Sequence, residues 1–128
     1  MAAAALQVLE DPRFAEVFGP GSVAEAAIAG GAPDLPPDLR ISGRIDRMVI
    51  TPERILVVDF KTNRPAPHVI EDADRSYVVQ MAVYVAVLRA LYPGRSVEAA
   101  LVWTDGPRLM AVPENLIDQT LLDLRAAH

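Results

Sequence analysis

The sequence predicts an α/β domain, and three observations lead to that prediction. Two pairs of strand-like apolar segments each surround a short turn, and a long helical segment lies between the two pairs. A chain of 128 residues has the length of one domain that buries a moderate core. A hydrophobic share of 52% excludes disorder as a description of the whole chain.

The first third of the chain is predicted to hold one helix, one strand and a loop. Residues 2–10 have the pattern of a short helix, and residues 11–22 are interrupted by Pro and Gly. Residues 23–30 are interpreted as a strand with Glu25 facing outward. Residues 30–39 contain too much Pro and Gly for either regular state, so we expect a loop there.

The remaining elements alternate between strands and helices. In order, the patterns predict strands over 40–50 and 54–62, a loop over 64–69, a helix from about Ala73 to Leu91, strands over 97–104 and 108–113, and an amphipathic helix over Leu116–Ala127. A Tyr-Pro-Gly sequence ends the long helix. An Asp-Gly-Pro turn separates the last two strands and indicates a second hairpin.

Composition excludes several kinds of protein. The chain has no cysteine, which removes disulfides, thiolate catalysis and cysteine-bound metal clusters and fits a reducing cytoplasm. No signal peptide or membrane-spanning segment is recognisable, so we expect a soluble, cytoplasmic protein that does not bind a membrane. The net charge of −5 has the wrong sign for a domain that binds nucleic acid unaided.

The turn of the first hairpin sets a register. Its proline cannot adopt the positive φ of a two-residue primed turn, so we expect a four-residue turn over 51–54 that pairs Ile50 with Ile55. In that register Asp46 lies directly opposite Asp59, with Cβ atoms about 4.5–5.5 Å apart. A one-residue bulge would shift this arrangement.

Lys61 projects from the same face as Asp59 and is the only lysine, beside eleven arginines. An ammonium is a compact charge on a flexible stem, whereas a guanidinium is a planar and permanently charged fork. A single lysine among arginines therefore fits a chemical role. From composition alone, chance placement explains it equally well.

Two carboxylates at the predicted spacing do not both ionise unless a positive charge lies between them. Oxygen ligands without cysteine or a histidine pair favour a hard divalent ion, Mg²⁺ or Mn²⁺. A lysine beside such an ion can orient a water and offset charge on a phosphorane-like transition state. The alternative is a solvated hairpin face, but the four apolar residues over 55–58 indicate a strand covered on both faces, where an unpaired Asp is costly.

Three motifs resemble, in order, those of RecB-type nucleases in the PD-(D/E)xK superfamily. They are SGRIDR around Asp46, VVDFKTN around Asp59 and Lys61, and YVVQMAVY around Gln80 and Tyr84. The segments FGPGSVAE, LYPGRSVEAALVWT and PRLMAVP extend the likeness to the carboxy-terminal nuclease domain of AddA helicase-nucleases. The resemblance implies that residues 1–128 form one domain with a restriction-endonuclease-like α/β core and a mixed central sheet flanked by helices.

The resemblance also implies a site and a reaction. Asp46, Asp59 and the backbone carbonyl of Phe60 would hold Mg²⁺ or Mn²⁺, and Lys61 would be catalytic together with the two acids. The reaction would be exonucleolytic hydrolysis of DNA at double-strand ends during repair in a bacterial cytoplasm. The partners would be the helicase part of the same chain and an AddB-like second subunit. Threading of the strand by the helicase would allow an acidic domain to work with little affinity of its own.

One feature of the family has no counterpart here. In the family a metal-ligating histidine precedes the first acid, whereas His68 and His128 both follow it. The expected explanation is an excised fragment that begins inside the domain, and such a fragment would bind metal weakly and cleave poorly. His68, in a proline-flanked loop, and Glu25, on a strand, are expected to be solvated rather than to be ligands.

Tyr77, Gln80 and Tyr84 share one helix face. Taken alone, this spacing more often means packing, but with the resemblance Gln80 and Tyr84 are expected to support the metal site or the DNA backbone. Arg44 fits a phosphate contact and an ordinary surface charge equally well, and Trp103 is expected in the core.

The alternative function is a nuclease-fold module that only binds DNA or serves as a scaffold. An inactive relative would usually have lost Asp46, Asp59 or Lys61, and all three are present.

Overall fold

The computed structural model describes residues 21–62, 66–104 and 108–127. The helix predicted over 2–10 and the Asp-Gly-Pro turn lie outside these residues. The elements are, in chain order, β1 (Ser22–Gly30), β2 (Ile41–Ile50), β3 (Arg54–Lys61), a 3₁₀ turn (Ile70–Asp72), α1 (Arg75–Leu91), β4 (Ser96–Trp103), β5 (Arg108–Val112) and α2 (Glu114–Ala126).

The five strands form one mixed sheet in the order β1-β2-β3-β4-β5. Strands β3 and β4 are parallel, and the other neighbours are antiparallel. A parallel pair needs a crossover connection, commonly a helix, and α1 lies between these two strands in the chain. The predicted α/β fold with a mixed central sheet and flanking helices is confirmed.

The long helix is close to its prediction. Asp74 caps α1, because its carboxylate accepts the backbone N–H of Ser76 at 2.9 Å and the Ser76 hydroxyl at 2.7 Å. After Leu91 the chain turns through Gly94, which has a φ of 92°, a conformation that favours glycine. Neither helix in the described ranges is long and apolar enough to cross a membrane.

The central strand β3 is buried on both faces. Ile55 and Val57 belong to the large core that α1 covers, whereas Leu56 and Val58 belong to a smaller cluster on the other side of the sheet. Strict alternation in a strand produces this division, and the run of four apolar residues predicted it. Trp103, 1% exposed, lies in the large core as expected.

Candidate active site

The register of the first hairpin agrees with its prediction near the turn. Ile50 pairs with Ile55, and regular pairing continues as far as Arg47 and Val58. Thr51 closes the turn, because its backbone N–H donates to the Arg54 carbonyl at 2.9 Å and its hydroxyl accepts the Arg54 N–H at 3.1 Å.

Regular pairing ends just before the first acid, so the predicted direct opposition of Asp46 and Asp59 in the ladder is wrong. The carboxylate of Asp46 accepts the backbone N–H of Phe60 at 2.9 Å, and a side chain thereby replaces a ladder bond. Ile45 and Met48 contribute to the same core cluster, although residues three apart on a regular strand lie on opposite faces. Strand β2 therefore changes face at Asp46.

The neighbouring strand is distorted at the same level. The pairs of β1 with β2 include Ala24 with Arg47 and Ala26 with Ile45, but omit the step between them. At that step Glu25 has a φ of 52°, in the left-handed region that non-glycine residues seldom adopt. Backbone strain of this kind is often found at functional sites. Glu25 itself is exposed.

The side chains of the two acids nevertheless meet. Asp59 is 5% exposed, and its carboxyl group lies within hydrogen-bonding reach of Asp46. Burial raises the pKa of Asp59 above its ordinary value because it disfavours the charged form. The contact with Asp46 raises this pKa further, and the ion pair with Lys61 opposes the increase. A cation shared by the two acids would relieve their repulsion.

Lys61 lies at the centre of the cluster. Its ammonium forms an ion pair with Asp59 and donates to the side-chain oxygen of Gln80 at 3.2 Å. It also lies over the ring of Tyr77, 4.0 Å from the centroid. The side chain is only 14% exposed, so the ammonium makes these contacts in a largely buried position.

The helix motif continues the network back to β2. The side-chain nitrogen of Gln80 donates to the Tyr84 hydroxyl at 3.5 Å, and this hydroxyl donates to the backbone carbonyl of Arg44 at 3.2 Å. The hydroxyl also lies against Gly43, where an added Cβ would be 3.2 Å away. Gln80 and Tyr84 thus connect the lysine to the strand that carries the first acid.

Other residues considered in the sequence lie elsewhere or take part differently. The Arg44 side chain is exposed, and its backbone carbonyl is the group that joins the network. His68 is exposed. The backbone N–H of Phe60 donates to Asp46, and metal binding by the Phe60 carbonyl stays a prediction.

The donor set fits a hard divalent ion. In the described ranges no three His, Asp or Glu side chains converge as a metal-binding group, but Asp46 and Asp59 do come together. Mg²⁺ is commonly held by one or two carboxylates, with waters and substrate phosphates completing its shell. Two adjacent carboxylates beside a lysine meet that requirement.

Sequence reasoning missed the aromatic side of the site. Tyr77 contacts the ammonium and also Trp103, whose ring centroid is 6.1 Å from that of Tyr77 with an interplanar angle of 49°. The helical spacing of Tyr77 and Gln80 was a usable signal, since it puts both on one face. Nothing local indicated that this face meets Lys61.

The mixed sheet and the acid–acid–lysine cluster are those of a nuclease-fold domain. Comparison with protein families shows to which nuclease superfamily the domain belongs. Residues 1–121 match the PD-(D/E)XK nuclease superfamily, and the chain belongs to that superfamily.

One solved structure shows the same fold, and a second covers the same share of this chain. The crystal structure of a "Putative exonuclease" from Eubacterium rectale matches with a TM-score of 0.62 and 16% identity, and the match covers 98% of this chain and 48% of that chain. The structure of SSO0001 matches with a TM-score of 0.49 and 13% identity, over 98% of this chain and 56% of that one. The chain thus spans about half the length of the exonuclease. The search of curated proteins found no match.

Proposed function

We propose that this chain hydrolyses DNA phosphodiester bonds with a divalent metal ion, as the exonuclease module of a helicase-nuclease that acts on double-strand DNA ends. The observation that carries the proposal is the convergence of Asp46, Asp59 and Lys61 under α1 in a PD-(D/E)XK fold. No observation favours the alternative of a module that only binds DNA or serves as a scaffold.

Asp46 and Asp59 would hold Mg²⁺ or Mn²⁺, with the Phe60 carbonyl as the further ligand that the resemblance implies. When bound, the ion would polarise a phosphoryl oxygen and make a bound water more acidic. The hydrogen bond from the Phe60 N–H orients the Asp46 carboxylate. Asp59 is fixed by Lys61.

The ammonium of Lys61 would stabilise negative charge that develops on the phosphoryl oxygens. Such a charge is most effective when it is held in place in a site with little water. Asp59 and Gln80 hold it through direct contacts, and Tyr84 connects Gln80 to the β2 backbone. These residues would orient the lysine before substrate binds.

The helicase context rests on the resemblance to AddA and on charge. A net charge of −5 opposes binding to a polyanion, because phosphate neutralisation supplies most non-specific affinity. A motor in the same chain, working with an AddB-like subunit in a bacterial cytoplasm, would deliver the strand at high effective concentration.

The test is cleavage of end-labelled linear DNA, single- and double-stranded, by the protein in its natural full length with Mg²⁺ or Mn²⁺. Asp59→Ala is expected to lower kcat by at least about a hundredfold. Lys61→Arg is expected to lose most activity, since a planar fork does not replace a point charge. Asp38→Ala, at an exposed acid, is the matched control and should cleave normally.

Three outcomes would contradict the proposal. Cleavage by Asp59→Ala at the rate of the unchanged protein would place the chemistry elsewhere. Binding of DNA ends without cleavage in either metal would support the scaffold alternative. Equal degradation of circular and linear DNA would rule out the exonuclease assignment.

A further inference from the structure

We infer that Tyr77 is a positioning residue for Lys61, and that its ring fixes the ammonium where hydrolysis would use it. The role in catalysis rests on the proposed function. The placement itself rests on the geometry of the two side chains.

The ammonium has three described contacts. Asp59 and Gln80 supply the polar contacts, and the Tyr77 ring lies 4.0 Å from the nitrogen to its centroid. A lysine stem has four flexible carbons, so two hydrogen bonds alone leave it freedom to swing away from the acids. The ring adds a third contact that restrains the ammonium.

The ring is held from behind by the core. Trp103 contacts Tyr77 and is almost completely buried. Trp103 is also the register partner of Lys61 in the parallel pair of β3 and β4. Lys61 therefore contacts Tyr77, and Tyr77 contacts Trp103, so that successive contacts lead from the site into the core. The partly buried ring would lose this contact with packed side chains if it moved away from the ammonium.

An aromatic face suits this role better than a further acid would. It attracts a cation through its quadrupole without adding a negative charge, and the two acids already repel one another. The competing explanation is that Tyr77 only fills space above Trp103. The two explanations differ in whether an aliphatic side chain of similar bulk can replace the ring.

The placement can be tested without any DNA. Lys61 is the only lysine, so labelling with ¹³C-lysine gives a single ε-methylene signal in an NMR spectrum. We expect this signal to lie upfield of its position in the unfolded protein, because the ε-methylene adjoins an ammonium that lies over a ring. Tyr77→Phe should keep the upfield shift, and Tyr77→Leu should lose it. A folded, unchanged protein without the shift would overturn the inference.

The catalytic role is tested with the same variants in full-length protein. Tyr77→Leu should lower kcat by roughly 3- to 30-fold, the range that corresponds to a cation–π contact, with an unchanged KM for DNA. Tyr77→Phe should retain kcat. Tyr77→Met, with an adaptable apolar side chain, replaces the leucine variant if that one does not fold.

The failures are distinguishable. Full kcat in Tyr77→Leu or Tyr77→Met, with the NMR shift lost, would overturn the role of Tyr77 and leave the nuclease proposal intact. The expected upfield shift in a protein that cleaves no DNA would overturn the proposed function and, with it, the catalytic role of Tyr77. The placement of the ring would stand.

Discussion

The contact between Gly43 and Tyr84 couples the first acidic motif to the helix motif, and Gly43→Ala tests that coupling. A Cβ at this position would be 3.2 Å from the Tyr84 hydroxyl oxygen and 3.7 Å from the nearest ring carbon. The first distance is shorter than ordinary contact, so the tyrosine must shift by a few tenths of an ångström. Gly43 is not among the described glycines with positive φ, so alanine causes no backbone strain.

The size of the effect follows from two opposing contributions. Displacing the hydroxyl weakens its hydrogen bond to the Arg44 carbonyl, which costs about 1 kcal/mol. Replacing Gly by Ala lowers the entropy of the unfolded chain and stabilises the protein by roughly 0.4–1 kcal/mol. We therefore expect Gly43→Ala to lower the free energy of unfolding by about 0–0.6 kcal/mol. With Tyr84→Phe the clashing oxygen is absent, and the same alanine should stabilise.

The assay is a double-mutant cycle measured by urea denaturation. We expect a coupling of about 1 kcal/mol between Gly43→Ala and Tyr84→Phe. Gly94→Ala is the control, because its φ of 92° strains any other residue while a Cβ there meets nothing within 4 Å. Its cost should add to that of Tyr84→Phe. Additivity of the Gly43 pair to within about 0.3 kcal/mol would show that the two residues do not touch.

Two further predictions concern charge. Burial and Asp46 raise the pKa of Asp59 in the folded protein above its ordinary value of 3.8. The raised pKa therefore contributes fully to the free energy of unfolding below pH 3.8, where Asp59 is protonated. This contribution is lost as the pH rises through the folded pKa. Asp59→Asn should therefore unfold at a higher urea concentration than the unchanged protein at pH 7 in metal-free buffer. The difference between the two midpoints should close as the pH falls below 3.8. A variant that is less stable than the unchanged protein at pH 7 would contradict this prediction. Arg89 lies near three acids at 3.0, 3.8 and 3.9 Å, so Arg89→Ala should cost about 1 kcal/mol, and less in high salt. Arg75→Ala breaks a single exposed pair with Asp123 and should cost under about 0.5 kcal/mol. Equal urea midpoints for the two arginine variants would show that the three acids around Arg89 do not act as a network.

Local patterns in the sequence predicted the regular part of the fold. Helical periodicity ending at Tyr-Pro-Gly located α1 to within two residues, since it depends on neighbours three and four apart. The proline-containing turn set the pairing of Ile50 with Ile55 because turn length alone fixes a hairpin register. The closing helix begins at Glu114, two residues before its predicted start, because the pattern identified its apolar face rather than its first turn.

The change of face at Asp46 could not be predicted in this way. It depends on a side chain taking the N–H of Phe60 and on the left-handed conformation of Glu25 in another strand. Both are properties of three strands together. The charge of the Arg44 side chain likewise gave no information about how this residue joins the site, because its backbone carbonyl makes the contact with Tyr84. Patterns of side-chain type carry no signal for such backbone contacts.

The surroundings of Lys61 bear on why the only lysine of the chain is at this position. An ammonium has three donors, and here Asp59 and Gln80 accept from it while the Tyr77 ring faces it. A guanidinium at the same position would bring five donors on a rigid plane to the two acceptor groups that the described residues provide. Each buried donor left without a partner costs about 1–3 kcal/mol, and the bulkier fork would also have to displace the ring or the acid. The position therefore disfavours arginine for a physical reason, and chance is no longer an equal explanation for its single lysine.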